Sequence, residues 1–330
     1  MDDFSNRRRQ RFISEQYFKW LSNFLTNSID TWSKNLPANG TEDSKRAIAA
    51  SLRADNRFAL LLLRYTAGEP IAPLRSELDL ILADYEEYAK FQSREFESPN
   101  WPPFLLGELK DYERAMQLIG LCYLLHRRDL LPRIAALEDP SYRAQDTLYE
   151  DLLAYGLEGR TDVDAWFHES YRDCINSVYG DSDEESLTDL NSYLENWYSS
   201  MSGVDWHDSH LDLSEERGLY FGYWAIEAAA LVYLLDLDDT SLHGHIVYPK
   251  DLVQFARTFE EPSESLEAST VPKTVRTGQV CPETGIWKAQ GYHVPGVLVQ
   301  QGERMPEVFA PDKTGAYRMQ PALWEFERKA

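Results

Sequence analysis

Apolar positions recur at helical spacing through roughly the first 260 residues and then lose that period. From Phe12 to Trp32, the residues Phe12, Ile13, Tyr17, Trp20, Leu21, Phe24, Leu25, Ile29 and Trp32 fall near one face, and Pro37 to Gly40 ends the run. Arg46 to Tyr65 predicts a second helix, most apolar at Phe58 to Leu63, closed by Gly68 to Pro73. Pro73 opens a third, with Leu74, Leu78, Ile81, Leu82, Tyr85 and Tyr88 on one face. After the proline-rich break at Ser98 to Pro103, Leu105 to Leu125 predicts a buried helix that stops at the charged turn Arg127 to Asp129. Tyr142 to Leu157, Asp164 to Tyr179 and Ser186 to Met201 predict three more, with acidic residues on the remaining faces. Ser182 and Glu185 have the spacing of a capping box.

The strongest apolar run is the 17-residue stretch Leu219 to Leu235, which predicts the central helix and carries one charge, Glu227. A carboxylate there must be paired, hydrogen-bonded or protonated, so Tyr, Trp or Arg groups on neighbouring helices are its expected partners. No second carboxylate shares its face at helical spacing, which favours a structural acid over a glycosidase-type pair. Both this run and Leu105 to Leu125 end in Tyr-Leu-Leu, a pattern consistent with a weak internal duplication of helix pairs. Beyond Ser263, glycines and prolines become frequent and short alternating segments replace the helical period. Val275 to Val280, Ile286 to Ala289, Val297 to Gln301 and Leu323 to Phe326 are the expected strands. Pro282 through Gly285 reads as a tight turn, with Trp287 covering a small core.

Charge changes the picture. Between Glu138 and Glu216 stand 21 acidic residues against three arginines, which accounts for −18 of the chain's net −22. Such a field repels nucleic acid and anionic lipid and steers a basic protein toward it; its bland counterpart is a solvated, solubilising face. Cys122, Cys174 and Cys281 are far apart, which supports neither a disulfide framework nor a cysteine-rich zinc site, and Cys122 fits an apolar helix better than a nucleophile's place. The arginines at Arg7 to Arg9 and Arg11 precede no unbroken apolar stretch, so a secretory signal is not expected. The 17-residue run is short for a bilayer and has a central acid, so no membrane span is expected and the protein is read as soluble and cytoplasmic.

His207, His210, His243 and His245, with Asp205 and Asp208 nearby, have the residue types of a metal-dependent hydrolase. Their H-x-x-H and H-x-H spacings beside turn residues lack the H-E-x-x-H pattern, and no nucleotide loop, serine elbow or Cys/His nucleophile pattern is visible. No cofactor or metal is therefore expected, and a binding protein is favoured over an enzyme.

The order Tyr220-x-Gly222-Tyr223-Trp224-x-x-Glu227, then Asp238-Asp239, then Tyr248-Pro249, resembles the C-terminal half of the PoNi-like helical immunity proteins of bacterial polymorphic toxin (type VI secretion) systems. Trp197-Tyr198 followed by Trp206-His207-x-x-His210 resembles the stretch before the core helix in that family. Cys281-Pro282-x-Thr284-Gly285-x-Trp287 resembles a C-terminal extension of certain immunity proteins in the same systems. The resemblance implies binding and neutralisation of a cognate antibacterial toxin whose target is in the cytosol, and nuclease effectors are what the family opposes. A nuclease needs a basic substrate groove that acidic residues can occupy. The expectation is a mainly α protein, a helical bundle with a small β-containing C-terminal module. Its expected regions are 1–97 (N-terminal helical), 98–262 (helical immunity core) and 263–330 (β-rich). The candidate contacts with the toxin are Asp181, Asp183, Glu184, Glu185, Asp205, Asp208, Asp212, Glu215 and Glu216, with direct contact to neither nucleic acid nor membrane. A metal-dependent hydrolase on the four histidines and a helical scaffold or adaptor are the alternatives.

Overall fold

The computed structural model describes residues 4–260, 274–292, 294–311 and 317–329. The chain divides into two compact units, Met1–Phe259 and Glu260–Ala330. The expected boundary at Ser263 lies outside the described residues. The first unit is helical: α1 (Phe4–Arg7), α2 (Glu15–Lys34), α3 (Glu42–Thr66), α4 (Glu77–Glu95), α5 (Leu109–Leu124), α6 (Leu131–Tyr142), α7 (Thr147–Ala154), α8 (Arg172–Asn176), α9 (Asp183–Ser200), α10 (Ile226–Leu234) and α11 (Lys250–Thr258). One cluster of buried residues runs from Phe4 to Ala256, so the core is continuous across the 97/98 position.

Helix α2 begins later than its apolar pattern suggests, because Ser14 caps it by accepting from the backbone N–H of Tyr17. Phe12 and Ile13 lie outside it, and its buried stripe narrows to Tyr17, Leu21 and Leu25 while Phe24 stays 49% exposed. Thr41 caps α3 in the same way. Helix α4 follows a 3-10 turn at Ala72–Ser76 that holds Pro73. Between α3 and α4, Arg53 and Arg57 clasp Asp84, a largely buried carboxylate, at 2.7 and 2.8 Å. Helix α5 packs against α10. Gly120 makes this close approach possible, since a Cβ there would stand 3.1 Å from Ile226 Cγ2 and 3.3 Å from Ala230 Cβ.

Three expected helices are corrected. Tyr142 to Leu157 contains only α7, because Asp146 caps that helix at Tyr149 N and Ala144 takes a positive φ of 59° before it. Helix α6, which ends at Tyr142, was not anticipated; Pro132 falls in its first turn and Pro140 in its last. Asp164 to Tyr179 forms only a 3-10 turn at Glu169–Tyr171 and the short α8, since side chains hold its first residues extended. Thr147 Oγ1 donates to Val163 O at 2.7 Å, and Phe167 N donates to Asp146 Oδ2 at 3.0 Å.

The third correction is the largest. The run Leu219 to Leu235 is not one helix: 219–225 is extended and only Ile226–Leu234 coils. Gly222 has φ +122°, and a Cβ there would fall 2.2 Å from Thr66 Oγ1 and 2.3 Å from Trp224 Nε1. No strand among the described residues pairs with the strip; Ala225 N donates to Val247 O at 2.9 Å, and side chains bond other groups of its backbone. Tyr17 OH donates to Tyr220 O and accepts from Tyr220 N (3.0 and 2.7 Å). Thr66 Oγ1 donates to Phe221 O (2.7 Å), and Gln10 Nε2 donates to Tyr223 O (2.7 Å) while its Oε1 accepts from Tyr223 N (3.0 Å). Gln117 Nε2 donates to Trp224 O at 3.0 Å. Further along, the Tyr248-Pro249 step is tied down where the Tyr248 hydroxyl and Arg257 donate to the buried Asp239 at 2.8 and 2.7 Å, and Pro249 stands immediately before α11.

The second unit is β-rich, with an antiparallel sheet ordered β1 (Thr274–Arg276), β6 (Leu323–Lys329), β2 (Gly285–Ala289), β3 (Val297–Val299), and a separate antiparallel pair of β4 (Val308–Pro311) and β5 (Tyr317–Gln320). Trp287 and Trp324 fill its core with Cys281, Val275, Val299 and Met305. Gly285 permits the crossing of β2 and β6, since a Cβ there would sit 2.4 Å from Phe326 and 2.6 Å from Arg328 O. Pro282 lies in the bend just before β2, next to the buried Cys281. The β4–β5 pair was not anticipated, because Pro311 and the exposed Arg318 interrupt any alternating pattern.

Gly222→Ala is expected to lower stability by about 2–4 kcal/mol through positive-φ strain and overpacking, read from a shifted denaturant midpoint. A change within about 0.5 kcal/mol, the range of ordinary surface substitutions, would show that the strip relaxes freely. A fragment ending at Glu260 is expected to keep its helical circular dichroism and a cooperative transition, because the buried cluster of the first unit is complete within it.

Candidate functional site

The dense acidic region does not form a single outward field. Glu138, Asp146 and Glu150 point inward and are buried. Glu150 is enclosed by a bidentate Arg160 at 2.8 and 2.9 Å and by the backbone N–H groups of Ala144 and Thr161. Arg160 also grips both oxygens of Asp139, at 2.9 and 2.7 Å, and so fixes the irregular chain after α7. Burial pushes the Glu138 carboxyl well above its ordinary range, with Phe104 N donating to one oxygen.

The acids expected to meet a partner do face outward. Asp181, Asp183, Glu184 and Glu185 are exposed at the start of α9, where the Ser182 side chain caps Glu185 N at 3.3 Å and Glu185 Oε2 accepts from Asp181 N at 2.9 Å. The return bond of this capping box therefore lands one residue early. Asp205, Asp208, Asp212, Glu215 and Glu216 are exposed in the turns between α9 and the extended strip. Helix α9 is about 27 Å long, with the first set at its start and the second in the turns that follow its end. They are two patches rather than one.

The second patch borders a cleft of about 270 Å³. Leu21 and Leu25 of α2, Ala59 of α3, Trp206, Leu219 and Phe221 form its apolar lining. Two ion pairs mark its edges: Lys110 to Asp205 at 2.6 Å and Arg114 to Asp55 at 3.1 Å. Leu219, which lines the cleft, is 60% exposed.

Beneath the cleft, two carboxyls are buried on the two sides of a stacked indole pair. Trp197 and Trp206 have ring centroids 5.1 Å apart at 14°. Trp206 Nε1 donates to Glu113 Oε2 at 2.7 Å, and Trp197 Nε1 donates to Glu227 Oε1 at 3.0 Å. Tyr193 OH donates to the same Glu227 oxygen at 2.5 Å, and Gln117 Nε2 donates to Glu113 Oε1 at 2.9 Å. Burial raises Glu113 to about 8 and Glu227 to about 7, against the opposing pull of these donors. Glu227 thus has the Tyr and Trp partners anticipated for it. Glu113 was overlooked, although an acid inside the apolar run 105–125 is the same signal.

The four histidines do not converge. His207 stacks on Tyr198 with ring centroids 4.3 Å apart, and His210 Nδ1 meets Tyr223 OH at 2.8 Å. His243 pairs with Asp239 at 3.1 Å, and His245 Nε2 meets Asn191 Oδ1 at 2.9 Å. Among the described residues no three His, Cys, Asp or Glu side chains are grouped as a metal ion would need, which leaves the hydrolase alternative without a ligand set. No helix among the described residues is long and apolar enough to cross a membrane.

Because the folded pKa values of Glu113 and Glu227 lie above the ordinary 4.5, the folded state binds more protons than the unfolded one between about pH 4.5 and 8. Stability from these groups is fully present below pH 4.5 and is lost as pH rises through about 7 and 8. Thermal midpoints should fall between pH 6 and 8.5, and the fall should flatten in the Glu113→Gln, Glu227→Gln double variant. An equal pH slope in the double variant would contradict this account.

No curated protein matches the sequence. Among solved structures, protein PA2201 from Pseudomonas aeruginosa is similar in fold, with a TM-score of 0.60 and 22% identity over 78% of this chain and 92% of that one. The family model of PoNe immunity proteins (PoNi), C-terminal, matches residues 144–252, the segment that holds both acidic patches, the Trp197–Trp206 stack, the extended strip and Tyr248. Over residues 144–252, the chain is similar to the C-terminal region of the PoNe immunity proteins.

Proposed function

We propose that this protein is an immunity protein that binds and neutralises a cognate toxin, a nuclease acting in the cytosol, by contact through its acidic exterior and without chemistry of its own. The observation that carries the reading is the coincidence of the PoNi match with the exposed acids at 181–185 and 205–216. A nuclease domain must present cations to a polyanionic substrate, and an acidic surface competes for those cations and accelerates encounter. The protein's place of action is then the cytoplasm, where such a toxin meets nucleic acid. The histidines favour no enzymatic alternative, since each is engaged in a local contact.

Cells producing the toxin encoded beside this chain's gene should survive when the protein is co-produced, and equal killing with and without it would remove the reading. Two charge variants locate the contact. Asp212, Glu215 and Glu216→Lys should slow association at low salt by about tenfold or more and weaken its salt dependence. Asp181, Asp183, Glu184 and Glu185 changed to Asn or Gln should reduce the association rate to a smaller degree. Both sets are exposed, so melting should change little. Association rates unaffected by either set would move the interface off the acidic exterior.

A further inference from the structure

In the cleft beside the second acidic patch an apolar lining lies open next to a run of exposed carboxylates. Leu219 is 60% exposed, while Leu21, Leu25, Ala59, Trp206 and Phe221 form the interior of the cleft. Its volume of about 270 Å³ is below the roughly 300–1,000 Å³ of pockets that enclose drug-sized ligands. It suits one large side chain. The charges around it are asymmetric. At its edges, Lys110 and Arg114 are paired with Asp205 and Asp55. Outside it, Asp208, Asp212, Glu215 and Glu216 face solvent with Arg217 as the single cation of the 205–217 segment, and that arginine reaches Asp212 at 3.6 Å.

We propose that this cleft is the anchor pocket of the toxin complex, taking one apolar aliphatic or aromatic side chain that projects from a basic surface of the toxin. The proposal rests on the immunity reading and names where that contact is made. An apolar anchor alone would suit many partners; the adjoining carboxylates select one whose anchor is ringed by lysines or arginines, which is what the surface beside a nucleic-acid groove offers. The pocket is rigid on both sides. On one side stand α2 and α3, and on the other Trp206 is held by Glu113 while Leu219 and Phe221 flank Tyr220, whose backbone is bonded to Tyr17. A preformed pocket of this kind gives up little side-chain entropy on binding, the condition under which a buried anchor contributes most. It also gives the N-terminal helices a role, because α2 and α3 supply walls that the segment 144–252 lacks.

The experiment measures binding of the toxin domain encoded beside this chain's gene to the full-length protein by calorimetry or biolayer interferometry. Leu219→Lys places a like charge against the basic partner at an exposed position and should weaken binding at least 50-fold, mainly through faster dissociation. Ala59→Leu fills the cleft from α3 and should weaken binding about tenfold or more with little change in salt dependence. In contrast, Asp212, Glu215 and Glu216→Lys should act mainly on the association rate. Melting curves confirm that each variant is folded. Wild-type affinity in both Leu219→Lys and Ala59→Leu, with tight binding by the unaltered protein, would overturn the anchor pocket and leave the immunity reading standing. Absence of binding by the unaltered protein would instead remove the immunity reading and the pocket with it.

Discussion

The extended strip at 219–225 imposes the constraint on which the helical unit depends. A segment this apolar has to be buried, yet without a sheet partner its amide groups would be buried unbonded, each at a cost of about 1–3 kcal/mol. The protein resolves this with polar side chains from four separate parts of the chain: Gln10 before α2, Tyr17 in α2, Thr66 at the end of α3 and Gln117 in α5. Each is buried and each bonds the strip's backbone. The N-terminal third of the protein is thereby fastened to the segment that carries the family match.

This fastening shapes the exterior as well. By holding Tyr220 inward, the strip turns Leu219 to solvent and leaves Phe221 half-buried, and the two become walls of the cleft. The same arrangement brings α10 to α5, where Glu227 and Glu113 sit on either side of the Trp197–Trp206 stack. Trp206 belongs to the acidic segment and Trp197 to α9. The buried carboxyls and the acidic exterior therefore share one element, the segment of Trp206.

Much of this architecture was legible in the sequence, and the reasons for the failures are specific. The long helices α2, α3, α4, α5 and α9 declared themselves through period and the breaks between them, with a cap legible only for α9, and the strands around Trp287 through alternation. Periodicity could not divide Leu219 to Leu235, because a wholly apolar run looks the same whether coiled or extended. Gly222 was the one local signal, and its meaning lay in Thr66, distant in sequence. The irregular chain at 161–168 escaped detection for a related reason: Thr147 and Asp146 hold it through side-chain bonds that leave no periodic trace. The acidic residues were visible as composition, but three of them proved internal. The cleft had no linear signature, since its walls come from α2, α3, α5 and the 205–221 segment.

The central claim is that a basic toxin is held at the acidic segment and the cleft beside it. Hydrogen–deuterium exchange of the full-length protein, with and without the toxin domain encoded beside its gene, tests this most directly. The account predicts that the toxin slows exchange in the turns at 201–218 and in the adjoining face of α2, with a weaker effect at 181–185. Protection confined to the β-rich unit or to α4 and α6, with 201–218 unchanged, would contradict it.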